Sequence, residues 1–120
     1  MTLNRRMPPP LRSMGDFQIV RPERSRMKNG MPLNIIRAGS QEVVRLDILI
    51  GGGQWHQTQA LQALFTNRML REGTTTMTSA QIAEKLDYYG AWLELSSAVN
   101  YGFITLYSLN KYFPSTLAII

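Results

Sequence analysis

One histidine, His56, and no cysteine leave this chain few ways to do metal or nucleophilic chemistry. Zinc is held by several imidazoles or thiolates, and neither set can be assembled here. No thiol nucleophile and no disulfide framework exist. A Ser-His-Asp triad would have to run through His56, which stands beside Trp55 in a glycine-rich bend and reads as a loop residue. Gly51-Gly52-Gly53 follows an apolar run and precedes a helical one, a position where phosphate loops occur. The Lys-Ser/Thr of a P-loop and the spaced glycines of a dinucleotide fold are both missing. The run therefore reads as a flexible strand-to-helix crossing.

Charge offers a second kind of chemistry. The 120 residues carry a formal net charge of +5, and its source is local. Residues 1–40 hold eight Lys/Arg against two acids, Asp16 and Glu23, whereas residues 41–120 hold five against six. A basic leader can bind a polyanion by releasing its counterions. No aromatic stacking platform is interleaved with these charges, so a solvated tail that wraps a neighbouring surface is the preferred reading and nucleic acid the disfavoured one.

The elements that would position any site follow from local pattern. Pro8-Pro9-Pro10 forbids a helix at the start, and Phe17–Val20 reads as a short extended piece. Lys28-Asn29-Gly30 is a turn signal. Met31–Arg37 and Glu42–Ile50 read as strands joined through Ala38-Gly39-Ser40, and are expected to form a hairpin. In the second, Val44, Leu46, Ile48 and Ile50 alternate with a mixed set, as in a sheet covered on one side. Thr58–Arg71 reads as a helix whose apolar stripe is Leu61, Leu64, Phe65 and Met69, with Gly73 as its stop. Thr78-Ser79-Ala80-Gln81 is a capping box. It opens a helix that turns Ile82, Ala83 and Leu86 inward and ends at Gly90. Trp92–Ala98 and Phe103–Leu109 alternate as strands, and Pro114 suits the first turn of a further helix. Trp92, Tyr88 and Tyr89 read as core or interface aromatics, and Arg68 and Arg71 as partners for Glu72 or another chain.

The order and local signals of these pieces resemble the N-terminal part of the pitrilysin-like zinc peptidases, peptidase family M16, which includes the mitochondrial processing peptidase and core proteins of the respiratory complexes. Asn29-Gly30-Met31-Pro32-Leu33 is similar to the family's opening NG-x-x-V hairpin, and Leu46 to Gly53 to its second strand and glycine-rich bend. Met69-Leu70-Arg71-Glu72-Gly73-Thr74 resembles the M-L-F-K-G-T that closes the metal helix. Gln81-Ile82-Ala83-Glu84 through Tyr89-Gly90-Ala91-Trp92-Leu93 resembles I-A-E-x-L-E-x-x-G-A-x-L-N. The resemblance covers about residues 28–120.

It implies an α+β fold, an antiparallel sheet with helices packed on one face, like the α-β sandwich of the LuxS and M16 metallohydrolases. Residues 1–27 would be a basic, proline-containing extension, and 28–120 the first portion of the domain. The uncapped apolar run Leu117–Ile120 suggests truncation in mid-helix.

Active members carry H-x-x-E-H immediately before M-L. Two histidines one helical turn apart bind zinc, and the glutamate activates its water. Anchored on Met69-Leu70, Leu64 replaces the first histidine, Asn67 the glutamate and Arg68 the second histidine. A hydrocarbon, an amide and a permanent cation neither ligate zinc nor take a proton. The expectation is therefore a non-enzyme with no zinc and no other cofactor: a catalytically inactive relative, the non-catalytic partner or half of a zinc peptidase assembly. Its expected partners are an active zinc peptidase subunit or copies of itself. A structural assembly subunit, or a basic-tail nucleic-acid module, is the alternative. The family presents the strand after G-A-x-L-N as an edge for an extended peptide. Here that strand is Leu93-Glu94-Leu95-Ser96-Ser97, with Glu94 and Leu95 in place of Asn-Ala. No apolar run is long enough for a membrane span, and the start lacks a signal peptide's apolar core. A cytoplasmic location is the expectation, or a periplasmic or mitochondrial one if a targeting segment precedes the chain.

Overall fold

The computed structural model describes Pro8, Leu11 and residues 13–120. Most of Pro8-Pro9-Pro10, and Arg5, Arg6 and Arg12 of the basic leader, lie outside the described residues. Contacts divide the chain into two units, Met1–Ser40 and Gln41–Ile120.

The first unit is built on a two-stranded antiparallel ribbon, β1 (Glu23–Arg26) with β2 (Pro32–Ile35), in the register Glu23↔Ile35 to Arg26↔Pro32. Lys28-Asn29-Gly30 makes its turn. Gly30 takes φ +85°, which costs glycine nothing. Its N–H donates to the Met27 carbonyl at 2.9 Å, and Asn29 Oδ1 accepts from the Met31 N–H at 3.1 Å. The ribbon thus lies on either side of the 27/28 boundary inferred from the resemblance. No strand forms over Phe17–Val20. The expected pairing of residues 31–37 with 42–50 is corrected: the first strand pairs backward across the Asn-Gly turn, and the second pairs with a distant strand. Alternation marks a strand's two faces but does not choose its neighbour.

In the second unit, β3 (Val43–Gly51), β4 (Trp92–Ser97) and β5 (Tyr101–Leu109) form an antiparallel sheet in the order β3-β5-β4. The fold class is α+β. Pairing places Leu46, Leu106 and Leu93 in one row and Ile48, Ile104 and Leu95 in the next, all on the same face. Three helices complete the unit: α1 (Gln62–Met69), α2 (Ser79–Tyr89) and α3 (Phe113–Leu117). Ile82 and Leu86 of α2 and Ile119, just after α3, meet Leu106 of that face in a core flanked by Leu46, Met77, Tyr89, Ala91, Leu93 and Phe113.

Local chemistry accounts for α2. The Gln81 N–H donates to Thr78 Oγ1 at 3.3 Å, and Gln81 Oε1 accepts from the Thr78 N–H at 2.9 Å, closing the capping box. At the other end Gly90 adopts φ +61°, and the Ala91 N–H reaches back to the Leu86 carbonyl at 2.9 Å. Ile82 and Leu86 are buried as expected, whereas Ala83 is exposed. Pro114 lies in the first turn of α3. The buried Thr116 of that helix lies 3.0 Å from Ser108 Oγ of β5.

The glycine run is a clamp, not the flexible crossing expected. Gly53 is buried, and the N–H groups of Gly52 and Gly53 donate to the Asn100 carbonyl. Those of Gln54 and Trp55 donate to Ala98 and Val99 at 3.0 and 2.8 Å. The end of β3 is thereby laced to the β4–β5 turn, an approach that only glycine at 53 permits.

Candidate functional site

The candidate site lies where α1 packs on β4 and β5. The helix is shorter than the expected Thr58–Arg71. Gln62 Oε1 accepts from both the N–H and the hydroxyl of Thr58, at 2.9 and 3.0 Å, and so holds a loop ahead of the helix. Leu61 then takes φ +67°, a left-handed conformation that breaks the helical run. Gln57 Oε1 accepts the otherwise free Ala63 N–H at 3.4 Å.

The buried face of α1 also differs from the apolar stripe read from the sequence. Ala63 and Asn67 are its buried residues, and Leu64 is half-buried. Phe65 and Met69 are 58% and 59% exposed, and Leu61 is exposed too. The reason is Gly102. A Cβ there would lie 3.3 Å from Asn67 Nδ2, so the missing side chain lets an amide come down onto the sheet. Asn67 Nδ2 donates to the Phe103 carbonyl at 3.3 Å. Asn67 Oδ1 and Ser97 Oγ, which is on the residue paired with Gly102, are buried without partners among the described residues.

The three motif positions therefore have different surroundings. Leu64 and Arg68, one helical turn apart, differ in exposure: Leu64 is half-buried and Arg68 exposed. Asn67 faces the sheet as a structural tie. His56 is exposed in a 3-10 turn, Gln54–His56, and is not brought into the helix. Among the described residues no group of three or more His, Cys, Asp or Glu side chains is placed to hold a metal ion. Arg71 Nε lies 3.8 Å from Glu72 Oε1 in a surface pair. Tyr89 is half-buried, its ring centroid 5.4 Å from that of Tyr112 with the planes tilted by 51°, whereas Tyr88 and Trp92 are exposed.

Leu93-Glu94-Leu95-Ser96-Ser97 lies within β4, an outer strand of its sheet. Its inner edge pairs with β5, and among the described residues no strand pairs with the outer one. Leu93, Leu95 and Ser97 face the helices. Trp92, Glu94 and Ser96 face outward, in rows with Tyr107 and Arg45, Thr105 and Asp47, and Phe103 and Leu49. In the middle of that face, where Thr105 is buried, Asp47 Oδ1 accepts from Thr105 Oγ1 at 2.8 Å and from Arg45 Nε at 3.1 Å. The Asp47 carboxylate holds the Arg45 guanidinium above its ordinary pKa. The same guanidinium lies 5.4 Å above the Tyr107 ring. The alternation of residues 92–98 marks both faces of β4, but the local pattern does not reveal that Asn67 comes down onto the sheet beside Gly102.

A shallow depression of about 400 Å³ lies over residues 72–79. Its polar groups serve their own loop: Thr74 Oγ1 accepts from the Thr76 and Met77 N–H groups, and Thr78 caps α2.

No model of a known protein family matches the chain, and no curated protein is similar to it. No helix among the described residues is long and apolar enough to cross a membrane.

Proposed function

We propose that the chain belongs to a catalytically inactive relative of the pitrilysin-like zinc peptidases. In this reading it serves as the non-catalytic partner or half of a peptidase assembly, contributing chamber wall and a surface for extended peptides. The observation that carries the peptide-binding role is the free outer edge of β4, bordered by α1. An unpaired strand edge offers a row of N–H and C=O groups that a peptide can satisfy by strand addition, whatever its side chains. The absence of hydrolysis rests on chemistry at the three motif positions. Leu64 has no donor atom, the Asn67 amide is committed to the Phe103 carbonyl, and Arg68 brings a permanent positive charge.

Two measurements test this. Atomic spectroscopy on protein purified without chelators should find no stoichiometric zinc; a one-to-one content would overturn the loss of the metal site. Pull-down from the native source should recover an active zinc peptidase with the chain. Recovery of the chain alone, or only in copies of itself, would overturn the hetero-assembly.

A further inference from the structure

We infer that two copies of this chain join through the outer edge of β3, antiparallel and in one register, with Leu46 facing Leu46 of the second copy across a two-fold axis. β5 separates β3 from β4, so this interface is independent of the peptidase reading and leaves the β4 edge clear.

β3 (Val43–Gly51) is the other outer strand of the sheet, and among the described residues its only strand partner is β5. Alternate residues of an antiparallel strand turn their N–H and C=O groups to opposite sides. The Glu42 carbonyl accepts from the Asn110 N–H, one step before the pair Val43↔Leu109. Even-numbered residues therefore bond to β5, and Val43, Arg45, Asp47 and Leu49 turn their groups toward the outer edge. Such an edge is a template for another strand.

Side chains decide which strand fits and in which register. On the face away from the helices, Val43, Arg45, Asp47 and Leu49 run apolar, positive, negative, apolar, an order that is its own complement when reversed. With the axis at Leu46, Val43 faces Leu49 of the second copy and Arg45 faces its Asp47, and symmetry repeats each pairing. These are the residues with outward N–H and C=O groups, so each pairing is also a hydrogen-bonded one. Val43 and Leu49, 48% and 54% exposed, cover each other. On the helix face Leu46 meets Leu46, and Val44 meets Ile48.

Arg45 already lies 2.9 Å from Asp47 of its own strand, with a weaker pull from Glu94 two strands away. Both side chains of the pair remain open, 58% and 37% exposed, so a second partner reaches them. Across the axis the four charges then form a square whose sides all join opposite signs, and like charges meet only on the diagonals. Moving the axis to Arg45 or Asp47 would set like charges opposite each other. Moving it to Val44 or Ile48 would leave both charges facing neutral residues.

Sedimentation equilibrium of the full chain should show a dimer. Arg45→Asp places four carboxylates at the axis, and Asp47→Arg four guanidinium groups. Each variant should dissociate about tenfold more readily than the parent. An equimolar mixture of the two should dimerise again, because every facing pair is then opposite in sign; circular dichroism confirms that both are folded. For the parent, isotope-filtered NMR on dimers of labelled and unlabelled chains should show Val43 against Leu49, and Val44 against Ile48, of different copies. A parent that stays monomeric at millimolar concentration would overturn the interface. So would a dimer lacking those contacts, or folded variants that do not rescue each other.

Discussion

The clamp between the glycine run and the β4–β5 turn makes Gly53→Ala the sharpest test of how the second unit is held together. A Cβ at position 53 would lie 2.5 Å from the Tyr101 nitrogen and 2.7 Å from the Asn100 carbonyl carbon, and would collide with the Ala98 oxygen. All three are backbone atoms, so no side-chain rotation relieves the clash. The loop must move as a body, and four hydrogen bonds from residues 52–55 to the 98–100 carbonyls move with it. Overpacking of this kind costs about 1–3 kcal/mol. Each strained hydrogen bond adds up to about 1 kcal/mol, so a total near 3 kcal/mol is expected. For a unit of this size that corresponds to a Tm lower by about 12–24 °C. Gly51→Ala is the control, because a Cβ there meets nothing within 4 Å. Its effect should stay within about 1 kcal/mol. Urea unfolding followed by circular dichroism separates the two. If Gly53→Ala unfolds within 0.5 kcal/mol of Gly51→Ala, on the order of the usual surface effect, the bend is loose and the clamp is wrong.

Thr78→Ala removes one half of the α2 capping box and should cost about 1 kcal/mol in the same unfolding assay, with Thr78→Ser retaining most of it. Leu106→Ala empties the fully buried centre of the sheet and should cost about 2–5 kcal/mol. Asn67→Asp places a carboxylate where an amide donated to the Phe103 carbonyl. Burial disfavours the charged form, so the folded-state pKa lies above the unfolded value of about 3.9. The variant's deficit relative to the parent should therefore be largest at neutral pH and shrink as pH falls toward that value. A deficit independent of pH in urea titrations would show that position 67 is not buried against the sheet.

The pieces of the fold that were legible in advance are those set by near neighbours. Thr78 and Gln81 close a ring of hydrogen bonds three residues apart, Gly90 accepts a left-handed turn, and residues 92–97 and 103–109 alternate, so each is decided within a few residues of chain. Local pattern points to the wrong hairpin because Val43–Gly51 has its partner fifty or more residues away, in Tyr101–Leu109. The inward face of α1 escapes the local pattern for a related reason. By hydrophobicity Phe65 and Met69 should be buried, but it is the Asn67 amide that comes down beside Gly102, where a side chain on the strand would crowd it.

Composition alone excluded thiolate chemistry and a multi-histidine metal centre, since no arrangement in space can supply ligands that are not in the chain. The order of the residues also placed the excess positive charge in the first third and the capping residues at the ends of α2. Which strands lie at the edges of the sheet, which atoms of Asn67 and Ser97 are buried, and what locks Gly53 were decided only when distant segments packed together. Strand pairing and close packing depend on the whole backbone coming together, whereas caps and turns answer to the residues beside them.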